Sequence, residues 1–376
     1  MKHLLSVIIL LLLLTACGKE ILPEPEEEEE KEKEYVPSPR IEGRIALAYV
    51  TYYGQRIPDP SLLTHIAYAF AELYVSDGTY HGFKLQGSEA RFASVAALKN
   101  QYPHLKILLS FTHTVANADN SQGGGFSVMA KTEEGRKAFA EDCLEFIRTW
   151  HIDGVDIDWE LPGISWSGHA CDPSCDTQNH ALLMKQLRET LGNDYLVTFA
   201  GYIMDKKSTI GGYKYVDLAA VAPYVDFVNI MTYDLDEAPH HHSALNDPDC
   251  YWDCARTIQA YNGAGFPRDK MVLGIPFYGR ISYSGSPSAI TYNKILSLDQ
   301  GMYKIDNWDS EASVPYVTNR YTGLYYCGYD NPASIAAKGT WIRGLGMKGM
   351  MFWNYDQDDA RGTLRKAVWE AVMKVM

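Results

Sequence analysis

The 376-residue sequence lacks the features of several large classes of protein. No apolar run reaches the roughly 20 residues that a transmembrane helix needs. No G-x-G-x-x-G fingerprint follows the first predicted strand and no P-loop occurs, so the usual signals of a nucleotide-binding sheet are missing. The net charge is −13, which makes a nucleic-acid surface unexpected. With 46% apolar and 22% charged residues, the composition excludes a disordered, collagen-like or coiled-coil chain.

The N-terminus has the pattern of an export signal. Lys2 precedes an apolar run from Leu4 to Leu14, and small residues follow up to Cys17. This order is typical of a cleaved secretory signal. The end of the run also resembles the bacterial lipobox, which implies that residues 1–17 are a lipoprotein signal peptide and that Cys17 becomes lipidated. We then expect a membrane-anchored lipoprotein of a bacterial cell envelope or cell surface. An ordinary signal with a chance cysteine is the alternative.

Residues 18–40 form an acidic linker. They contain nine Glu against four Lys and Arg, and Glu26–Glu30 is unbroken. Like charges repel and no core can form, which predicts a disordered tether, with an acidic partner-binding tail as the alternative. The remaining residues, 41–376, are expected to fold as one domain.

Six cysteines remain beyond the lipobox. Cys143 lies on an apolar helical stripe and is interpreted as a core residue. Two C-x-x-x-C pairs could make a four-thiolate zinc site, but in an oxidising compartment disulfides are favoured, with the pairing left open. The two pairs are Cys171 with Cys175 and Cys250 with Cys254.

Apolar, β-rich runs alternate with helical patterns from residue 44 onward. The predicted strands are Ile45–Tyr52, His65–Phe70, Lys106–Phe111, Gly154–Trp159, Leu196–Ala200, Phe227–Tyr233, Val272–Pro276 and Gly349–Asn354. Eight strands alternating with helices predict an α/β protein with a closed (β/α)8 TIM barrel. A doubly wound open sheet is the alternative. The stretch of about residues 281–331 is too long for a plain loop, which predicts a small insertion between the seventh and eighth strands.

Three acidic residues share one face of the fourth predicted strand. Side chains alternate along a strand, so Asp156, Asp158 and Glu160 point into the barrel, and Glu160 reaches its carboxyl-terminal mouth. Three carboxylates about 7 Å apart in a closed interior cannot all be ionised at low cost, so at least one stays protonated near neutral pH. A protonated acid in a cleft suits cleavage of a glycosidic bond. An acidic edge strand does not fit, because the residues on the other face of the strand are apolar and imply burial on both sides; a magnesium or calcium site is the alternative.

The stretch from Asp153 to Glu160 resembles the D-x-x-D-x-D-x-E signature of glycoside hydrolase family 18, the chitinases and endo-β-N-acetylglucosaminidases. One segment departs from the family, because residues 110–113 read Ser-Phe-Thr-His where the family has S-x-G-G. The resemblance therefore does not extend to the leaving-group side of the cleft. The other segments that resemble the family are Ala67–Phe70, Asn229–Asp234, Gly274–Arg280, Tyr329–Lys338 and Gly349–Trp353.

The resemblance implies hydrolysis with retention through substrate assistance, without a cofactor or metal. The 2-acetamido oxygen of the sugar attacks the anomeric carbon while Glu160 protonates the leaving oxygen. Asp158 is expected to orient the acetamido N–H, and Asp156 to share a proton with Asp158. Tyr233 is expected to donate a hydrogen bond to the acetamido oxygen.

The family's cleft further implies a set of substrate-binding residues. Trp353 is expected to form the floor under the sugar. Phe70 and Met231 could instead be core, and Asp234 and Arg280 could merely form an ion pair. Residues 240–242 are three histidines, interpreted as a solvated loop rather than a metal site. The complete substrate-binding set is Tyr49, Phe70, Met231, Asp234, Tyr278, Arg280 and Trp353.

We expect a monomeric, membrane-anchored endo-acting hydrolase of β-1,4-linked N-acetylglucosamine polymers, chitin or chitooligosaccharides. Its partners are then an N-acetylglucosamine-containing glycan and, through the lipid anchor, a membrane. Two alternatives stay open. One is an endo-β-N-acetylglucosaminidase that acts on the core of N-linked glycans, and the other is a non-catalytic cell-surface glycan-binding protein.

Overall fold

Eight parallel strands close into a barrel in the computed structural model of the chain. Each strand pairs with the next along the chain, and the first also pairs with the eighth, with Ile45 opposite Gly349. The predicted (β/α)8 fold is therefore confirmed. The barrel strands are Ile45–Thr51, His65–Ser76, Lys106–Thr112, Gly154–Asp158, Leu196–Gly201, Phe227–Ile230, Met271–Pro276 and Gly349–Trp353.

The structure describes residues 43–112, 115–116, 122–123, 125–164, 171–203 and 215–373. The predicted signal peptide, its Cys17 and the predicted linker lie outside these residues, as does His113. Within the described ranges, no helix combines the length and the apolar character that crossing a membrane requires.

The barrel strands are buried on both faces, which explains their apolar sequences. All seven residues of the first strand are buried, and so are all five of the fourth. Val155 and Ile157 pack with the large outer core, whereas Asp156 and Asp158 alternate with them and face the lumen. The period of two along the strand thus separates helix-facing apolar residues from lumen-facing acids.

The second strand differs most from its prediction. It runs six residues further, to Ser76, and turns at Asp77 and Gly78 into an antiparallel strand, Thr79–Leu85. Both turn residues have positive φ, 50° and 73°, which is the geometry of a type I′ hairpin turn. Asp-Gly is a strong hairpin signal in sequence, so this element was available to prediction and was missed.

Helices connect the strands and cover the barrel. Several helix starts carry side-chain caps; the Thr132 hydroxyl accepts from the backbone N–H of Gly135, and the Asn331 side chain accepts from that of Ser334. Pro332 follows the Asn331 cap in the first turn of its helix, where proline is well tolerated. The α-helices are Glu89–Ala96, Gly125–Lys131, Glu133–Trp150, Asp176–Leu191, Leu218–Val221, Cys254–Gly263, Tyr292–Ile295, Pro332–Gly344 and Thr363–Met373.

The chain between the seventh and eighth barrel strands builds a second, antiparallel sheet. Its first strand begins at Tyr278, two residues after the seventh barrel strand ends at Pro276. The insertion is therefore tied to the carboxyl-terminal side of the barrel. In spatial order its strands are Ala289–Thr291, Tyr278–Arg280, Tyr325–Gly328, Val314–Asn319 and Tyr303–Asp309.

The structure corrects two predictions about polar side chains. The disulfides are not formed, because all four cysteines of the two pairs are free. The Cys254 sulfur instead lies 3.7 Å from the carbonyl oxygens of Thr232 and Ser243. The histidine loop is not solvated as a whole, because of its three histidines His240 is exposed and the other two are buried.

The other two histidines of that loop are buried by contacts with the insertion and with the end of the sixth strand. The His241 ring lies 2.9 Å from the Tyr325 hydroxyl and 3.3 Å from Asp309. The His242 ring lies 3.3 Å from Asp234. The insertion and the end of the sixth strand therefore enclose two side chains that the local sequence placed in solvent.

Candidate active site

A pocket of about 320 Å³ opens at the carboxyl-terminal mouth of the barrel, within the usual size range of small-molecule sites. All eight barrel strands, or the segments directly after them, contribute residues to its lining. The lining residues are Tyr49, Phe70, Thr112, Asp158, Glu160, Ala200, Tyr202, Met231, Tyr233, Asp234, Tyr278 and Trp353.

Asp156 lies beneath the pocket, fully buried, and its two carboxylate oxygens accept four hydrogen bonds. Oδ2 accepts from Tyr49 and Ser110, both at 2.8 Å, and Oδ1 accepts from Thr198 at 2.6 Å and Asn229 at 3.2 Å. Burial raises the pKa of Asp156, and these donors partly offset the rise. Because hydroxyls and an amide already occupy both oxygens, the arrangement does not favour the alternative of a hard-cation site.

Asp158 and Glu160 hydrogen-bond to each other above Asp156. Burial raises the pKa of Asp158 well above its usual range, and the charges of Glu160 and Asp156 add to the rise. Burial raises the pKa of Glu160 to about 7, against the hydrogen bond with Asp158, which lowers it; the charge of Asp234 raises it further. The two carboxyls therefore hold a proton near neutral pH and titrate as a pair.

Two phenols face this acidic pair. Burial raises the pKa of Tyr233 well above its usual range, and the charges of Glu160 and Asp158 add to the effect. The pKa of Tyr49 is raised for the same reasons, with Asp156 as its nearest acid. Both hydroxyls therefore remain protonated and can donate hydrogen bonds, Tyr49 to Asp156 and Tyr233 toward the pocket.

Aromatic rings form one wall of the pocket. The Trp353 ring is 5.7 Å from Phe70 in a stacked arrangement and 5.6 Å from Tyr49. Phe70 and Trp353 are partly exposed, whereas Met231 is buried in the lumen cluster and still lines the pocket. The wall can offer an apolar face to the C–H side of a sugar, and the sequence alternative of pure core packing does not hold for Phe70.

A charged group forms another part of the rim. Arg280 donates to both oxygens of Asp234, at 2.8 and 2.7 Å, so the predicted alternative of an ion pair is observed. Burial alone would raise the pKa of Asp234, but hydrogen bonds with His242 and Arg280 hold it well below its usual range. The Tyr202 hydroxyl donates to the Asp234 backbone oxygen at 2.5 Å. Asp234 therefore stays ionised beside the protonated pair.

Three pocket residues were missed from sequence: Thr112, Ala200 and Tyr202. Each ends or follows a barrel strand that was predicted, the third or the fifth. Thr112 lies opposite Asp158 in the sheet register, just as Ser110 lies opposite Asp156. The rule that parallel strands present their carboxyl ends to the site could have identified all three.

The family model described as Glycosyl hydrolases family 18 matches residues 45–358, most of the chain. Chitinase 63 of Streptomyces plicatus is 30% identical over 307 residues, which cover 75% of this chain and 48% of that protein. The chain spans about half the length of the curated relatives it matches.

Solved structures agree with the barrel. A family 18 N-acetylglucosaminidase from Paenibacillus barengoltzii has a TM-score of 0.71 and 27% identity, covering 88% of this chain and all of that one. Chitinase ChiW from a Paenibacillus species, described as a cell-surface-expressed multi-modular enzyme, has a TM-score of 0.73 and 26% identity, covering 88% of this chain and 43% of its own.

Proposed function

Because the chain belongs to the glycosyl hydrolases of family 18, and is thus a glycosidase of that family, we propose that it cleaves β-1,4 bonds between N-acetylglucosamine residues. Its substrate is then chitin or a chitooligosaccharide. Chitinases among its relatives support the substrate class. The reaction retains the anomeric configuration through participation of the substrate, with Glu160 as general acid and base.

The observation that carries this proposal is the pair of carboxyls at the pocket mouth. Glu160 has its pKa raised to about 7 and hydrogen-bonds to Asp158, which lies directly above the fully buried Asp156. A carboxylic acid that remains protonated near neutral pH can donate a proton to a leaving oxygen. A glycan-binding protein without catalysis has no need to hold acids so close together.

In the first step the acetamido oxygen of the bound sugar attacks the anomeric carbon, and Glu160 transfers its proton to the departing glycosidic oxygen. The C–O bond to the leaving sugar breaks and a cyclic oxazolinium ion forms. Asp158, hydrogen-bonded to the acetamido N–H, stabilises the positive charge on that ion. Tyr233 donates a hydrogen bond to the acetamido oxygen and fixes its direction of attack. Holding the attacking group in place can lower the barrier by about 7–11 kcal/mol.

In the second step a water oxygen attacks the anomeric carbon and the bond from that carbon to the acetamido oxygen breaks, while Glu160, now a carboxylate, takes a proton from the water. Asp156 acts through Asp158, because the charge of Asp156 raises the pKa of Asp158 and the donors around Asp156 favour that charge. Trp353 and Phe70 hold the apolar face of the sugar ring against the pocket wall.

The test is product analysis on N-acetylglucosamine oligomers of defined length, with the anomers resolved by NMR in the first minutes. We expect the β-anomer of the new reducing end to form first. An initial α-anomer contradicts participation of the substrate, since it requires inversion. A parallel incubation with a high-mannose glycoprotein separates chitin cleavage from release of N-linked glycans.

We also propose that the protein is exported and lipidated at Cys17. The support is the sequence pattern of residues 1–17. In a bacterial host, Cys17→Ser should leave the protein uncleaved at this position and without a fatty acid in intact-mass spectrometry. A fatty acid on the variant, or its absence from the native chain, contradicts the assignment. Light scattering on the solubilised protein tests the expected monomer.

A further inference from the structure

A second cluster of reactive side chains lies in the loop that follows the sixth barrel strand. The loop leaves the pocket at Asp234 and ends at the helix Cys254–Gly263. Within it, a carboxylate oxygen of Asp236, a ring nitrogen of His240 and the sulfur of Cys250 lie within 4.8 Å of one another. These are three different ligand types, brought together from positions up to fourteen residues apart in the sequence.

The thiol at the centre of this cluster is buried between two carboxylates. Cys250 is 5% exposed, and its sulfur lies 3.1 Å from Asp247 Oδ2. Asp236 is a second hydrogen-bond acceptor for the same thiol. Asp247 is itself held in place, because its Oδ1 accepts from the backbone N–H of Asp249 at 3.0 Å and leaves Oδ2 facing the sulfur. One thiol therefore faces two acids and an imidazole.

A disulfide does not account for this arrangement. Cys254, the nearest cysteine in sequence, is fully buried, and its sulfur contacts the carbonyl oxygens of Thr232 and Ser243. Cys250 faces Asp247 and Asp236 instead. The two thiols thus have different partners, and Cys250 remains available to a ligand.

We propose that Asp236, His240 and Cys250 bind a divalent transition-metal ion, with Asp247 as the fourth ligand. Sulfur and imidazole ligands together select zinc over magnesium or calcium, which prefer oxygen. Zinc–ligand bonds of about 2.0–2.3 Å put the ligand atoms of a tetrahedral site roughly 3.5 Å apart. The three atoms must therefore approach one another by about 1 Å, which the exposed His240 side chain allows.

The ion has a structural role in this arrangement. It joins Asp236 and His240 near the start of the loop to Asp247 and Cys250 near its end, and so closes the loop on itself. The same loop holds the pocket rim, because Asp234 pairs with Arg280 and because Glu237 accepts a hydrogen bond from the backbone N–H of Tyr283. Metal binding therefore stabilises the folded rim, independently of which sugar the pocket accepts.

The test uses cobalt(II) as a spectroscopic probe on the reduced full-length protein, purified in detergent. We expect a thiolate-to-cobalt charge-transfer band in the near ultraviolet and visible bands of tetrahedral intensity, with zinc displacing the cobalt. Cys250→Ser should abolish the charge-transfer band. His240→Gln, at an exposed position, should fold normally and weaken zinc affinity by at least about 10-fold, measured by chelator competition.

Matched controls separate this site from other thiols and imidazoles. Cys254→Ser removes the neighbouring thiol and His104→Gln removes an exposed histidine elsewhere, and both should retain the band and the affinity. Zinc should raise the melting temperature of the native protein and not that of His240→Gln. A band that survives in Cys250→Ser, an unchanged affinity in His240→Gln, or a Cys250–Cys254 disulfide in protein isolated from the periplasm or cell surface overturns the proposal.

Discussion

The chain buries carboxylates in two contrasting ways. Asp330 is almost fully buried beside Lys338, whose ammonium lies 2.7 and 2.8 Å from its two oxygens, and two serine hydroxyls donate to them as well. Asp158 is also buried, but the neighbours that act on its charge are the carboxyls of Glu160 and Asp156. Two buried aspartates thus have opposite neighbours: Asp330 lies beside a cation, and Asp158 lies beside other acids.

The difference separates a structural group from a chemical one. A cation and several donors compensate the charge of Asp330, so that side chain links the helix Pro332–Gly344 to the loop at Ser243. Acids placed side by side raise one another's pKa, which costs stability and supplies a proton that can be transferred. The comparison predicts that changes at the acid cluster affect turnover, whereas changes at the ion pair affect folding.

The largest expected effect follows from Glu160→Gln. The amide keeps the shape of the side chain but cannot donate an acidic proton, so turnover of chitooligosaccharides should fall roughly 10²–10⁴-fold. Sugar binding should persist, because the aromatic wall is untouched. A stopped assay measures turnover, and calorimetry on the same protein measures sugar binding.

Glu141→Gln is the matched control for this variant, because Glu141 is exposed on the helix Glu133–Trp150. It should leave turnover unchanged. If Glu160→Gln keeps native turnover, the assignment of the proton donor is wrong and the acid cluster has no catalytic role.

Lys338→Met tests the other region. Removing the cation leaves Asp330 charged and buried, which should lower the free energy of unfolding by about 3–5 kcal/mol in urea titrations. The remaining folded protein should turn over substrate normally, since neither residue lines the pocket. The comparison fails if Lys338→Met lowers the turnover of the folded fraction and leaves the free energy of unfolding unchanged.

An exposed ion pair gives the control. Lys137 and Glu141 lie 3.9 Å apart, four residues apart on one helix, and both are more than half exposed. Lys137→Met should cost about 0.3–0.5 kcal/mol, because solvent screens such pairs. The difference between the two Lys→Met variants measures what burial adds.

The sequence was sufficient for the fold and for the centre of the site. Alternating strands and helices predicted the closed barrel, which the structure confirms. The period of two along residues 154–158 places Asp156 and Asp158 on the lumen face, where the structure has them. Both inferences depend on local periodicity, which the sequence states directly.

Long-range contacts could not be predicted. The Asp356 carboxylate accepts from the backbone N–H groups of Gln55 and Arg56, about 300 residues earlier in the chain. His241 is buried by residues of the insertion, so its local sequence indicated solvent instead. The partner of Cys250 is likewise set by the path of the loop, and spacing suggested a disulfide that the fold does not form.

The pH dependence sharpens the contrast further. With a pKa of about 7, Glu160 is protonated below neutral pH and ionised above it. The proposed acid must be protonated in the free enzyme, so kcat/KM should fall above pH 7, approaching tenfold per pH unit. Measurement from pH 4 to 9 on a soluble oligomer tests this. A flat profile up to pH 9 contradicts the assignment.

The raised pKa of Glu160 also predicts how the free energy of unfolding changes with pH. Burial raises the pKa of Glu160 above its unfolded value near 4.5, so between these values the folded protein holds more protons than the unfolded chain. Stability from this group therefore falls as pH rises from about 4.5 to 7 and stays level above. Glu160→Gln should remove that slope. Relative to the native protein, the variant should therefore gain melting temperature as the pH rises from 4.5 to 7.5.

Thr198→Val should give the smallest effect. It probes Asp156, which belongs to the acid cluster but, like Asp330, accepts several hydrogen bonds. Asp156 is compensated by neutral donors rather than by a cation, and Thr198 makes its shortest hydrogen bond, 2.6 Å. Valine keeps the volume but removes the donor, so the ionised form of Asp156 loses stabilisation and its pKa rises. Protonation of Asp156 should lower kcat/KM at acid pH, because these donors hold the carboxylate form beneath the site. This acidic limb of the kcat/KM profile should move to higher pH in the variant, by about one unit or less. Thr198→Ser keeps the hydroxyl and should leave the limb in place. An equal shift in both variants means that packing, and not the hydrogen bond, sets the proton affinity of Asp156.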